Sequence, residues 1–173
     1  MEMYDIVAAG CNADEKTTTL LGYKKIFASG KDFRMSDLDE GAGKAGDAAM
    51  FTGSDESGLS ARAKYGKFIL PKRIGVGRSL LARIKDNDAV LCLPMERITS
   101  TYGLVRSKNI YFMRKTFSEA RRFGAKVSLV SMAPSVQFML STGQLLELGK
   151  MITGKESYAR ESISVVNRSI SGV

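Results

Sequence analysis

The 173-residue chain has no histidine and no tryptophan, and only two cysteines and three prolines. The missing histidine removes Ser–His and Cys–His nucleophile systems, imidazole acid–base chemistry and every usual catalytic zinc arrangement. Cys11 and Cys92 stand far apart in apolar surroundings. They predict buried thiols in a cytoplasmic setting, with neither a disulfide framework nor a zinc site. The opening MEMYDIVAAG has no basic region ahead of its apolar stretch, unlike a secretory signal. The uncharged run over residues 127–146 contains Pro134, Gly143, Gln137, Gln144 and several hydroxyls, so no membrane span is expected.

What is present fits one globular domain covering residues 1–173, with 44% hydrophobic and 25% charged residues. The net charge of +8 is unevenly spread. Residues 1–59 hold 6 Lys/Arg against 11 Asp/Glu, a balance of −5, whereas residues 60–173 hold 20 against 7, or +13. Such asymmetry points to a basic surface that meets an anionic partner, nucleic acid or an anionic membrane.

The basic half is centred on residues 107–131. Ile110, Met113, Phe117 and Ala120 recur at three- and four-residue spacing, with Ser107 as a candidate N-cap and Gly124 as a stop. That is an amphipathic helix. Lys108, Lys115 and Arg122 recur every seven residues, as do Arg114 and Arg121, and Glu119 alone opposes them. The uncharged run 127–130 after Gly124 reads as a buried strand.

Elsewhere the rhythm is that of a parallel α/β sheet. Strands are expected over residues 4–9, 25–28, 68–70 (closed by Pro71) and 89–93 (closed by Pro94), with a weak one at 48–51. Residues 12–19 read as a short polar segment that closes as a helix end at 20–23, and 54–64 as a polar loop or short helix. Residues 30–47 read as an irregular, exposed Gly/Asp-rich loop. Within it Gly41-Ala42-Gly43-Lys44 fails as a phosphate-binding loop, because Leu38 and Ala45 stand where a glycine and a hydroxyl belong. A helix is predicted over 76–85, flanked by Lys72, Arg73, Arg78 and Arg83. Residues 95–106 read as a loop in which Arg97, Tyr102 and Arg106 mix cations with an aromatic ring, a composition suited to RNA. Helices follow over 144–152 and, after a break at 153–155, 156–162; a Ser-rich tail at 165–173 is expected to dock on the body.

The order of several segments resembles the archaeal and eukaryotic ribonuclease P subunit family called protein component 3. Met3-Tyr4-Asp5-Ile6-Val7 is similar to that family's opening strand, and Leu21-Gly22-Tyr23-Lys24-Lys25-Ile26 to its Leu-Gly-Tyr-x-x-Ile. Residues 77–82 and 89–93 sit where it has a helix and then a strand. Residues 108–131 resemble its Arg-rich helix and the segment that ends Ser-Ser-Gly-Ala, with Met132 in place of the glycine. Residues 144–152 resemble its Asp-Leu-x-x-Leu-x-x-Leu-Gly. Met139-Leu140-Ser141-Thr142 replaces an Arg-Ser-Pro segment, and residues 30–63 are shorter than in typical members.

The resemblance implies a TIM-barrel-like α/β barrel, shortened, of the polymerase and histidinol phosphatase (PHP) type. It implies a ribonuclease P protein subunit that binds and stabilises the catalytic RNA for removal of 5′ leaders from precursor tRNA. On this reading the chain has no catalytic residue, binds no metal or cofactor itself, and leaves magnesium to the RNA. Its partners are the ribonuclease P RNA, another small α/β protein subunit and, indirectly, pre-tRNA. The candidate RNA contacts are Lys72, Arg73, Arg78, Arg97, Arg106, Lys108, Arg114, Lys115, Arg121 and Arg122. Two other readings compete. One is a small α/β-barrel metal-dependent hydrolase with Asp5, Asp47 and Glu96 as carboxylate ligands; the other is a generic RNA-binding module.

Overall fold

The structure is a computed structural model; it describes residues 4–8, 11, 13–28, 31–39, 49–73 and 75–170. Two strands, β1 (Tyr4–Val7) and β2 (Lys25–Ala28), pair in parallel. Five more form a parallel sheet in chain order: β3 (Met35–Asp37), β4 (Met50–Gly53), β5 (Phe68–Pro71), β6 (Val90–Pro94) and β7 (Lys126–Val130). Just past β7 the chain meets β1. Met132 N–H donates to the Ile6 carbonyl at 2.9 Å, and Ala8 N–H donates to the Ala133 carbonyl at 3.1 Å. The strand order therefore runs from β3 through β7 to β1 and β2. Among the described residues no ladder joins β2 to β3, so a parallel α/β sheet is established and ring closure is not.

Both sheet faces are buried. Phe51, Ile69, Leu91, Leu93, Val127 and Leu129 pack with Leu80, Leu81, Ile84, Met113, Phe117 and Leu145 from the helices. The alternate residues Ile6, Phe27, Met50, Phe68, Leu70, Val90, Cys92 and Val130 form a second cluster. Val166 of the last helix and Met132 complete that second cluster. Burial on both sides explains the near-continuous apolar runs of β5 and β6.

The connecting helices are α1 (Glu15–Leu20), α2 (Glu56–Arg62), α3 (Arg78–Asp86), α4 (Glu96–Thr99), α5 (Gly103–Phe123), α6 (Thr142–Thr153) and α7 (Glu156–Ile170). Several depart from the sequence reading. The supposed loop at 30–47 contains β3, and the weak strand at 48–51 is β4, whose four residues are all buried. The supposed loop at 95–106 is α4 and the first turn of α5. Ser107 is not a cap: α5 begins a turn earlier, after Tyr102, and the Ser107 hydroxyl donates to the Gly103 carbonyl at 3.2 Å. The last helix continues to Ile170 because Ile163 and Val166 are buried along it. The Gly41–Lys44 segment, Ala9, Asp47 and the last three residues of the tail lie outside the described residues. The run at 127–146 divides into β7, a short 3-10 turn (Val136–Phe138) and the start of α6. Among the described residues no helix is long and apolar enough to cross a membrane.

Where α6 and α7 pack on β7, no room is left for a side chain at Gly149. A Cβ there would stand 3.0 Å from the Ala159 Cβ and 3.1 Å from the Leu129 Cδ1, both residues fully buried. Gly149→Val is expected to lose about 1–3 kcal/mol by overpacking. Urea unfolding measures this, and an unchanged midpoint would mean that the helix pair can spread.

Candidate nucleic-acid interface

The long helix α5 carries most of the candidate cations, and its placement follows from its apolar stripe. Met113, Thr116, Phe117 and Ala120 are buried against the body. At its end Gly124 takes φ of 74° and its N–H donates back to the Arg121 carbonyl at 3.0 Å, a left-handed stop that releases the chain into β7. The start is held by Asn109, whose side-chain amide donates to the Arg97 carbonyl at 2.7 Å and so ties α5 to α4. With 21 residues, α5 reaches about 30 Å from the carboxyl end of the sheet to its amino end.

The ten candidate contacts are spread along that length. Lys72 and Arg73 follow β5, Arg78 opens α3, Arg97 lies on α4 after β6, and Arg106 is in the first turn of α5. Lys108, Arg114 and Lys115 occupy the outer face of α5, and Arg121 and Arg122 lie at its far end. Eight are exposed, whereas Arg97 and Arg106 are half-buried.

Their partners divide them further. Arg97 donates from Nη2 to the Pro71 carbonyl at 2.7 Å, and burial lowers its pKa. Arg106 donates from Nε to the Thr101 carbonyl at 2.7 Å and lies 5.3 Å from the Tyr102 ring. Lys72 bridges Asp37 at 2.7 Å and Asp39 at 3.0 Å, and these two carboxylates raise its pKa. Hydrogen bonds from Ser54 and then Lys72 hold the Asp39 carboxyl down at about 2. Arg121 pairs with Glu161 at 3.3 Å and stacks 3.6 Å above the Tyr158 ring. Arg73, Arg78, Lys108, Arg114, Lys115 and Arg122 have no ion-pair partner among the described residues, and four of these six lie on α5. Their charge is available to an external anion.

Sequence reasoning missed the apolar part of this surface. Leu104, Val105, Tyr111 and Phe112 are exposed beside these cations, as is Tyr102. The available signal was that Tyr111 and Phe112 fall off the face defined by Met113, Phe117 and Ala120. A separate cavity of about 510 Å³ opens at the amino ends of β5 to β7, with Lys64, Lys67 and Lys126 in its wall. Its cations are largely matched internally: Lys126 pairs with Asp88 at 2.6 Å, and Lys67 donates to the Ser169 carbonyl at 3.3 Å.

The carboxylates of the hydrolase reading are placed differently. Asp5 is fully buried, and its Oδ1 accepts the backbone N–H groups of Ile6 and Ser131, both at 2.8 Å. Oδ2 has no hydrogen-bond partner among the described residues. Burial pushes the Asp5 pKa up to about 6 against these hydrogen bonds; burial, and after it the Asp5 charge, raises those of Cys11 and Tyr23. Glu96 is half-buried at the start of α4, its N–H donating to the Ser131 carbonyl at 3.0 Å. Asp47 lies outside the described residues. No three Asp, Glu or Cys side chains among the described residues converge to hold a metal ion. Just beyond Ser131, Met132 adopts φ of 49° at the position where the resembling family has glycine.

No known family matches the chain in sequence, and no curated protein sequence does. Solved structures do match. A chain in a cryo-EM structure of archaeal ribonuclease P with mature tRNA superposes with a TM-score of 0.69 at 9% identity, over 98% of this chain and 81% of that one. The crystal structure of A. niger ochratoxinase superposes with a TM-score of 0.50 at 11% identity, over 70% of this chain and 30% of that one. At these identities the likeness is one of fold, and over nearly its whole length the chain shares that fold with a component of an archaeal ribonuclease P structure.

Proposed function

We propose that the chain is a protein subunit of ribonuclease P that binds and stabilises the catalytic RNA during removal of 5′ leaders from precursor tRNA. The observation that carries this reading is the near full-length fold match to a chain of an archaeal ribonuclease P structure. The exposed cations of α5 without an ion-pair partner among the described residues supply the chemistry: each phosphate they neutralise releases condensed counterions and favours the folded RNA. Bond breaking then belongs to the RNA and its magnesium ions, with a second small α/β protein subunit and pre-tRNA completing the assembly. The parallel sheet buried on both faces and joined from β7 to β1 supports a shortened TIM-barrel-like fold, and the family resemblance is what suggests the PHP type. The hydrolase reading finds little support, because Asp5 spends one oxygen on backbone N–H groups inside the protein.

Reconstitution tests the proposal. Adding the chain, with its partner subunit, to the ribonuclease P RNA is expected to lower the magnesium concentration at which pre-tRNA is cleaved. An unmoved magnesium midpoint would favour the generic RNA-binding module instead.

A further inference from the structure

Large apolar side chains are exposed at nine described positions, and five of them (Tyr102, Leu104, Val105, Tyr111 and Phe112) fall within eleven consecutive residues. Scattered exposed apolar residues need no explanation, but a concentration of this kind marks a contact surface. Its charge selects the kind of contact. Between residues 102 and 118 the chain carries Arg106, Lys108, Arg114 and Lys115 and no acidic residue. Lys108, Arg114 and Lys115 are exposed and have no ion-pair partner among the described residues.

The rings and cations also interleave in a regular way. Lys108, Tyr111 and Lys115 follow one another at three- and four-residue steps on a helix, which places them in line at intervals of about 4.5–6 Å. Tyr111 is 62% exposed and meets Phe112 edge-on, with ring centroids 5.4 Å apart and planes at 72°. That geometry leaves a ring face open to a planar group. An alternation of open ring and free cation is what an unpaired polynucleotide requires, since it offers flat bases and phosphates in alternation. A base-paired helix keeps the faces of its bases stacked and out of reach of such rings.

We propose that this face of α5 holds an unpaired stretch of RNA, with bases stacked on Tyr111 and Phe112 and phosphates on Lys108, Arg114 and Lys115. The proposal rests on the RNA-binding reading above and adds that the contacted element is single-stranded.

Fluorescence anisotropy of the full chain with a labelled oligouridylate and with a labelled blunt-ended RNA duplex of matched length tests it. The single strand is expected to bind more tightly. Tyr111→Ala is expected to weaken single-strand binding about tenfold, the worth of one base–ring stack, while Tyr111→Phe retains it and duplex binding stays unchanged. Lys108→Ala, by contrast, is expected to weaken both RNAs and to reduce the salt slope. If Tyr111→Ala binds the oligouridylate as well as the parent while Lys108→Ala does not, the stacking proposal falls and RNA binding through phosphates survives. If neither RNA binds even at low salt, the RNA-binding reading itself falls. Loss of a protein subunit from the reconstituted complex on Tyr111→Ala, with RNA affinity intact, would assign the face to that subunit and overturn the proposal.

Discussion

Replacing Asp5 with asparagine is expected to stabilise the protein at neutral pH and to remove a pH dependence that the parent shows between about pH 4 and 7. The folded-state pKa of about 6 lies above the unfolded value of 3.8. The native state therefore binds the extra proton between those two values, and stability from this group rises as pH falls through 6 toward 3.8. The difference corresponds to about 3 kcal/mol at neutral pH. Asparagine keeps a carbonyl oxygen for the N–H groups of Ile6 and Ser131 and carries no charge. Alanine leaves both N–H groups buried without an acceptor. Asp5→Ala is thus expected to be less stable than Asp5→Asn by about 2–6 kcal/mol, counting two unmet donors. Urea unfolding from pH 4 to 8 reads both effects. If the parent gains no stability on acidification from pH 7 to 5 relative to Asp5→Asn, the buried-carboxylate account is wrong. Asp14, Asp39, Asp55 and Glu156 have lowered pKa values and act in the opposite sense at lower pH, where protonation removes their hydrogen bonds and ion pairs.

Reversing Lys108, Arg114 and Lys115 together to glutamate is expected to weaken RNA binding by about ten- to a hundredfold at moderate salt. It should also reduce the slope of log affinity against log salt by about 2–3, in keeping with three lost phosphate contacts. The melting temperature should hold, because all three side chains are exposed and have no ion-pair partner among the described residues. Arg121 is unsuited to this test: Arg121→Glu would face Glu161 and abandon the Tyr158 ring, mixing lost stability with lost binding. A triple variant that folds normally and keeps the full salt slope would show that RNA does not meet this face.

The parts of the fold legible in the sequence were those in which one local signal sufficed. The strands β2, β5, β6 and β7 are apolar runs bounded by Gly or Pro, and α6 shows its apolar period. The strand β3 was hidden because Met35-Ser36-Asp37 is only half-buried at a sheet edge and has a single apolar residue. The start of α5 was misplaced because Tyr102 makes no side-chain cap, while Ser107 resembles one. The last helix was shortened because Ser162, Ser164 and Ser169 disguise the face that buries Ile163 and Val166. At the candidate site the cations were countable in advance, but their partners were not. Lys72 meets Asp37 and Asp39 from another strand connection, and Arg97 finds the Pro71 carbonyl. Neither pairing is local, so neither leaves a mark in the sequence. Asp5 is the same case, since its burial depends on the chain beyond β7.

In α5 the side chains that seat the helix (Met113, Phe117 and Ala120) are interleaved with the side chains that face outward (Arg114, Lys115 and Arg122). Both sets share a single rotational phase. One residue inserted between them would turn everything downstream by about 100°, swinging charge toward the core and core toward water. The docked helix thus acts as a ruler whose graduations are fixed before any polyanion arrives. Most of the ordering entropy of an encounter would then fall on the flexible strand.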